Sequence, residues 1–111
     1  MIIYMKEGEE HKFKAASAAE KDTLRREKVL QELRTIPGVG RSISVDLWNL
    51  GIRSVCELKN KNPEMLYRKH CIRIGQPVDR CLLYVFRCAV YYASHKRHDP
   101  ELLLWWNWKE L

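Results

Sequence analysis

Apolar residues recur along most of this chain at three- and four-residue intervals, the period of a helix with one buried face. The two-residue interval of a half-buried strand is absent except within the first five residues. Ser17-Ala18-Ala19-Glu20 has the spacing of a capping box, a hydroxyl to accept a free amide and a carboxylate to reach back. Leu24, Val29, Leu30 and Leu33 then form an apolar stripe on an otherwise charged helix ending near Arg34. Pro37 stops it, because it lacks an amide and biases Ile36 away from helical angles. A second helix is predicted from about Ser42 to Leu50, with Ile43, Leu47 and Leu50 inward and Gly51 past its end. Ser54 caps a short third helix through Leu58, and Asn62-Pro63-Glu64 opens a fourth that reaches Ile74 before Gly75.

The fifth helix is the longest, from about Val78 to His95. Val78, Cys81, Leu82, Val85, Phe86, Ala89 and Ala93 share one side, and Leu83, Tyr84, Val90 and Tyr91 the other. A helix apolar nearly all round is surrounded by its neighbours, so this one is the expected centre of the core. Asp99-Pro100-Glu101 caps a last short helix or turn ahead of Trp105-Trp106-Asn107-Trp108. Residues 1–16 show no clear period and read as a flexible arm. The expectation is an all-α fold, a compact domain of five to six helices over residues 17–111.

A chain of 111 residues with 46% apolar and 31% charged positions is neither a disordered tail nor a membrane span. No run reaches the roughly 18 to 20 apolar residues that a spanning helix needs. The opening Met1-Ile2-Ile3-Tyr4-Met5 is too short for a signal-peptide core and lacks a basic lead-in, so a cytoplasmic protein is expected. Twenty Lys and Arg against 14 Asp and Glu favour a polyanion as partner. The excess concentrates in residues 35–75, where seven basic residues face three acidic ones.

Cys56, Cys71, Cys81 and Cys88 lack the two-to-four-residue gap of a zinc site, and disulfides are not expected without export. Buried packing thiols are the expectation; the alternative is a Cys81 made reactive by its place near a helix start.

The chemistry concentrates in Leu33 to Ile43, where two amphipathic helices are joined through Pro37-Gly38-Val39-Gly40. Two glycines permit unusual backbone angles and close approach. The helix that follows presents the amides of Gly40, Arg41, Ser42 and Ile43 unpaired, with the positive end of its dipole. A phosphate oxygen is the natural occupant, with Arg41 adding a full charge at the rim. None of these groups reads a base edge, so binding is expected to be independent of sequence. The bland alternative is a tight turn that uses glycine for geometry alone.

Ile36-Pro37-Gly38-Val39-Gly40, with Leu47 and Leu50-Gly51-Ile52 behind it, resembles a helix-hairpin-helix motif, which grips nucleic-acid backbones. Pro77 to Ala93 and the Trp105-Trp106-Asn107-Trp108-Lys109 ending are similar to the small bacterial "pathogenicity locus" family of helix-hairpin-helix proteins, sometimes labelled mitomycin resistance proteins. Their C-terminal half is similar to the C-terminal domain of a competence regulator. The resemblance runs from about Glu27 to the end and implies a SAM-domain-like or tandem hairpin bundle. It implies DNA binding through Gly38, Val39, Gly40, Arg41, Ser42 and Ile43. Hairpins of this kind often come in pairs, whereas Asn62 to Ala93 contains no second Gly-apolar-Gly turn.

Trp105, Trp106 and Trp108 have three readings: closing the core, anchoring a protein partner or a second copy, or stacking on unpaired bases. The second defines a competing function, a protein-interaction module whose hairpin is only structural. Catalysis is not expected. His70 and Cys71 are adjacent on a helix and so point apart, Asp46 and Asp79 lie on separate helices, and no nucleotide-binding loop or nucleophile elbow occurs. His95-Lys96-Arg97-His98 reads as neutralising a helix end. No metal and no cofactor are expected.

Overall fold

A computed structural model describes residues 17–109. The predicted arm lies outside the described residues. Among these residues there are four α-helices: α1 (Ala18–Leu33), α2 (Arg41–Asn49), α3 (Pro63–Ile74) and α4 (Cys81–Ser94). Three single 3-10 turns, Val55–Leu58, Pro100–Leu103 and Trp105–Trp108, complete the described residues, which contain no strand. The fold is therefore all-α. The expected five to six helices reduce to four because the short segments close as four-residue turns. Ser54 Oγ accepts the Glu57 amide at 3.2 Å, and Lys59 then leaves helical geometry. So few residues gain too few bonds to propagate a helix.

Local chemistry sets the helix ends. Ser17 Oγ accepts the Glu20 amide at 3.2 Å, the hydroxyl half of the expected capping box. Asn62 Oδ1 accepts from Glu64 and Met65 at 3.0 and 3.2 Å with Pro63 in the first turn, and Gly75 ends α3 at φ 87°. Helix α4 starts three residues later than the apolar pattern suggested. Asp79 accepts the Cys81 amide at 2.8 Å, and the Val78 carbonyl accepts the Tyr67 hydroxyl, so Pro77 to Arg80 are held outside the helix. A short carboxylate offering the backbone an alternative partner wins over the apolar period there.

Helix α4 is the centre, as its apolar circumference predicted. Phe86, Cys88 and Ala89 are fully buried, with Leu82, Leu83 and Val85 close behind. Against it lie α3, the Val55–Leu58 turn and the C-terminal turns, while α1 packs on α2. Leu33, Ile36, Val39, Leu47, Ile52, Leu58 and Leu66 complete the same core. Burying a side chain the size of Phe86 is worth about 1.5–3 kcal/mol. Arg87 ties three elements together: it pairs with Glu64 of α3 at 3.0 Å and donates to the Trp108 carbonyl at 2.7 Å.

Three expected core positions are exposed. Leu24 is 65% exposed, because the first half of α1 runs beyond the elements that cover Leu30 and Leu33. Cys81 is exposed because α4 begins there and has no preceding turn, and Cys56 is exposed on its 3-10 turn. Of the four thiols only Cys88 is buried, Cys71 being half-covered. No described helix is long and apolar enough to cross a membrane.

Candidate functional site

The corner between α1 and α2 is held by three anchors spaced three apart. Leu33, Ile36 and Val39 all enter the core, while Gly38, Gly40, Arg41 and Ser42 stay at the surface. The Ile36 amide donates to Leu33 O at 3.2 Å and the Val39 amide to Ile36 O at 3.1 Å. Val39, one of the expected contact residues, is thus an anchor: its amide is engaged and its side chain is buried.

The two glycines differ. Gly38 adopts φ +84°, a conformation that costs other residues about 1–2 kcal/mol. Gly40 has φ −97° and ψ −163°, extended backbone open to any residue, with no atom within 4 Å of where a β-carbon would stand. The idea that both are needed for backbone angles therefore holds for Gly38 alone.

Gly40 is the N-cap of α2 and has no side chain to cap with. Its carbonyl accepts the Ser44 amide at 3.0 Å, the first bond of the helix. The Arg41, Ser42 and Ile43 amides precede that bond and have no side-chain cap. Ile43 packs against the core, whereas Arg41 and Ser42 face outward, and Arg41 has no ion-pair partner among the described residues. The Ser44 hydroxyl, fully buried, donates to the Arg41 carbonyl at 2.8 Å and tightens this first turn. Sequence reasoning missed Ser44; its place three residues before Leu47 on the inward face was the available signal.

The C-terminal turn reaches this corner. Trp105 lies against Gly38, with its Cδ1 3.1 Å from the position of a β-carbon there. A cavity of about 310 Å³ opens beside them, and Asp46, His70 and Asp79 contribute to its wall. Gly40, Arg41 and Ser42 do not line it. Gly38 and Ile43 do, so the cavity adjoins the start of α2 at this corner. Donation by the Cys81 amide and thiol holds the Asp79 carboxyl below the usual carboxylate range, and the same bond raises the Cys81 thiol. The neighbouring Asp79 carboxylate thus holds Cys81 in its protonated form, against the alternative of a thiol activated by its helix start.

His70 is only 5% exposed, and its Nδ1 has no hydrogen-bond partner. It sits four residues after Leu66 on the inward face of α3, which was the available clue. Burial pushes the Cys88 thiol up to about 11. Among the described residues no three His, Cys, Asp or Glu side chains gather as metal ligands.

The tryptophans divide. Trp105 packs on the core, and Trp108 donates its Nε1–H to the Leu102 carbonyl at 2.8 Å with its ring 5.4 Å from Tyr91. Trp106 is 49% exposed. His98 stacks on Tyr92 and its Nε2–H donates to the Tyr92 carbonyl at 2.8 Å, satisfying one carbonyl of the last turn of α4. Lys59, Lys61, Arg68, Lys69 and Arg73 are exposed, whereas the Arg53 guanidinium lies 3.5 Å over the Trp48 ring and donates to the Trp48 carbonyl.

The family model described as "Pathogenicity locus" matches residues 26–111, a span that includes the corner, the cavity wall and the whole C-terminal turn. The chain belongs to the pathogenicity locus family. A curated relative, the mitomycin resistance protein McrB of Streptomyces lavendulae, is 31% identical over 77 residues, covering 69% of this chain and 70% of the relative. No solved structure matches.

Proposed function

We propose that this member of the pathogenicity locus family binds nucleic acid through backbone phosphates, in the manner of a helix-hairpin-helix module. The observation that carries the proposal is the uncapped, open start of α2. Gly40 supplies no capping side chain, nothing crowds its α-carbon, and Arg41 stands free beside the unpaired amides. An anion there gains several N–H donors, the helix dipole and one full charge. The contacts are to phosphate, so binding is independent of base sequence apart from any pocket beyond them. The formal charge of +6 and the exposed bases of residues 35–75 add long-range attraction. Gly38, Gly40, Arg41, Ser42 and Ile43 form the proposed contact set, with Val39 positioning them. We assign no catalytic role, and we place the protein in the cytoplasm. The names of the family and of the Streptomyces relative refer to pathogenicity and drug resistance and specify no reaction.

Fluorescence anisotropy with single-stranded, duplex and branched DNA across a salt series tests this. Two to four neutralised phosphates give a slope of log affinity on log salt of about −2 to −4, near 0.9 per contact on duplex. Arg41→Ala should make that slope shallower by about 1. No binding to any DNA form at low salt, or a slope near zero, rejects the proposal. The competing reading, a protein-interaction module, retains one specific support: Trp106 is exposed on the C-terminal turn.

A further inference from the structure

The cavity beside the corner has a composition that a phosphate site does not explain. Trp105, Ile43 and Val85 give it an aromatic and apolar wall, Gly38 joins it to the α2 start, and Asp46 and His70 add polar atoms. At about 310 Å³ it falls in the range of small-molecule sites. One of its two carboxylates is uncommitted. The Asp46 carboxylate has no hydrogen-bond or ion-pair partner among the described residues, whereas Asp79 is engaged by the Cys81 amide. An ionised carboxylate only accepts hydrogen bonds, so the occupant donates them, and the Trp105 ring in the wall suits a flat group. The carboxylates also repel phosphate.

We infer that this cavity takes up one unstacked guanine of a strand whose phosphate is held at the start of α2. The inference rests on the phosphate reading above. Guanine carries two adjacent donors, N1–H and the N2 amino group, on a single edge, which match the two oxygens of one carboxylate. Thymine places one donor between two acceptors, and adenine and cytosine each set an amino group beside an acceptor. The Trp105 ring offers a stacking surface indifferent to base identity, so selection falls to Asp46. In a duplex that guanine edge is already paired, and unpaired strands are therefore preferred.

The test uses the full chain with labelled nine-residue oligothymidylate, the same strand with a central guanine, and one with hypoxanthine, which lacks the N2 amino group. The guanine strand should bind about tenfold tighter than oligothymidylate, the low end for a bidentate base contact. Hypoxanthine should lose most of that gain. Asp46→Asn should erase the guanine preference while oligothymidylate binds as well or better, since a negative charge has gone. Equal affinity for the guanine and thymine strands, with a normal salt slope for both, overturns this inference alone. An Asp46→Asn variant that weakens both strands equally does the same. If neither strand binds, the phosphate reading and this inference fall together.

Discussion

The indole of Trp105 closes over Gly38, leaving 3.1 Å between its Cδ1 and the place a β-carbon would take. The last turn of the described chain therefore braces the corner that carries the candidate site, and the two are one structural unit. A lost Trp105 would loosen the corner even if that residue touched no ligand.

Gly38 and Gly40 look equivalent in Pro37-Gly38-Val39-Gly40 and should behave differently. Gly38→Ala meets both a left-handed backbone and the Trp105 edge, and should cost about 2 kcal/mol or somewhat more. Gly40→Ala has ordinary angles and open space, and should cost less, about 0.5–1 kcal/mol, because alanine is a poorer N-cap than glycine. Urea denaturation of both variants checks the contrast.

Gly40→Asp should separate stability from binding. An aspartate at this N-cap accepts the Ser42 or Ile43 amide, which preserves the fold or stabilises it by a few tenths of a kcal/mol. The same carboxylate fills the anion position with a like charge and should abolish DNA binding. Unchanged anisotropy titrations with the fold intact would remove the α2 start from the interface.

Thiol reactivity should follow position along the chain rather than count. Cys56 is exposed and should be alkylated first, Cys81 more slowly because its thiol is held by Asp79, and Cys88 only on unfolding. Peptide mass mapping over time gives the order. The Cys88 thiol, pushed up to about 11, keeps its proton in the folded state longer than in the unfolded one. Its contribution is whole below about pH 9 and is lost as pH rises through 11, a loss of about 3 kcal/mol. Cys88→Ala should lack that alkaline limb in denaturation curves.

The tryptophans should differ by substitution as they do by contact. Trp106→Ser should shift stability by less than about 0.5 kcal/mol. Trp108→Ala removes a bond to Leu102 and the packing on Tyr91, and should cost roughly 2–4 kcal/mol, near the lower part of the range for large core truncations. If Trp106→Ser abolishes oligomerisation or capture of a defined protein partner while leaving DNA binding intact, the competing interaction reading gains the site it needs.

Much of the architecture was legible because its causes are local. Ser17, Asn62 and Gly75 act within one turn of themselves, and Pro37 stops α1 by its own ring. The start of α4 was misplaced because Asp79 bonds a nearby amide, a choice that apolar period does not register. The candidate contact residues were found from the Gly-x-Gly pattern, but their division into contacts and anchors was not, since Val39 and Gly38 differ only in what the core does with them.

By itself the sequence determined where helices form, that α4 is central, and where a helix start would stand uncapped, because capping, backbone angles and periodicity act over a few residues. Only the tertiary structure decided that Trp105 rests on Gly38, that His70 is buried with an unpartnered ring nitrogen, that Asp46 and Asp79 line one cavity, and that Leu24 is left in solvent. Those outcomes depend on which surfaces meet when segments distant in the chain compete for the same core, and no local pattern encodes that choice.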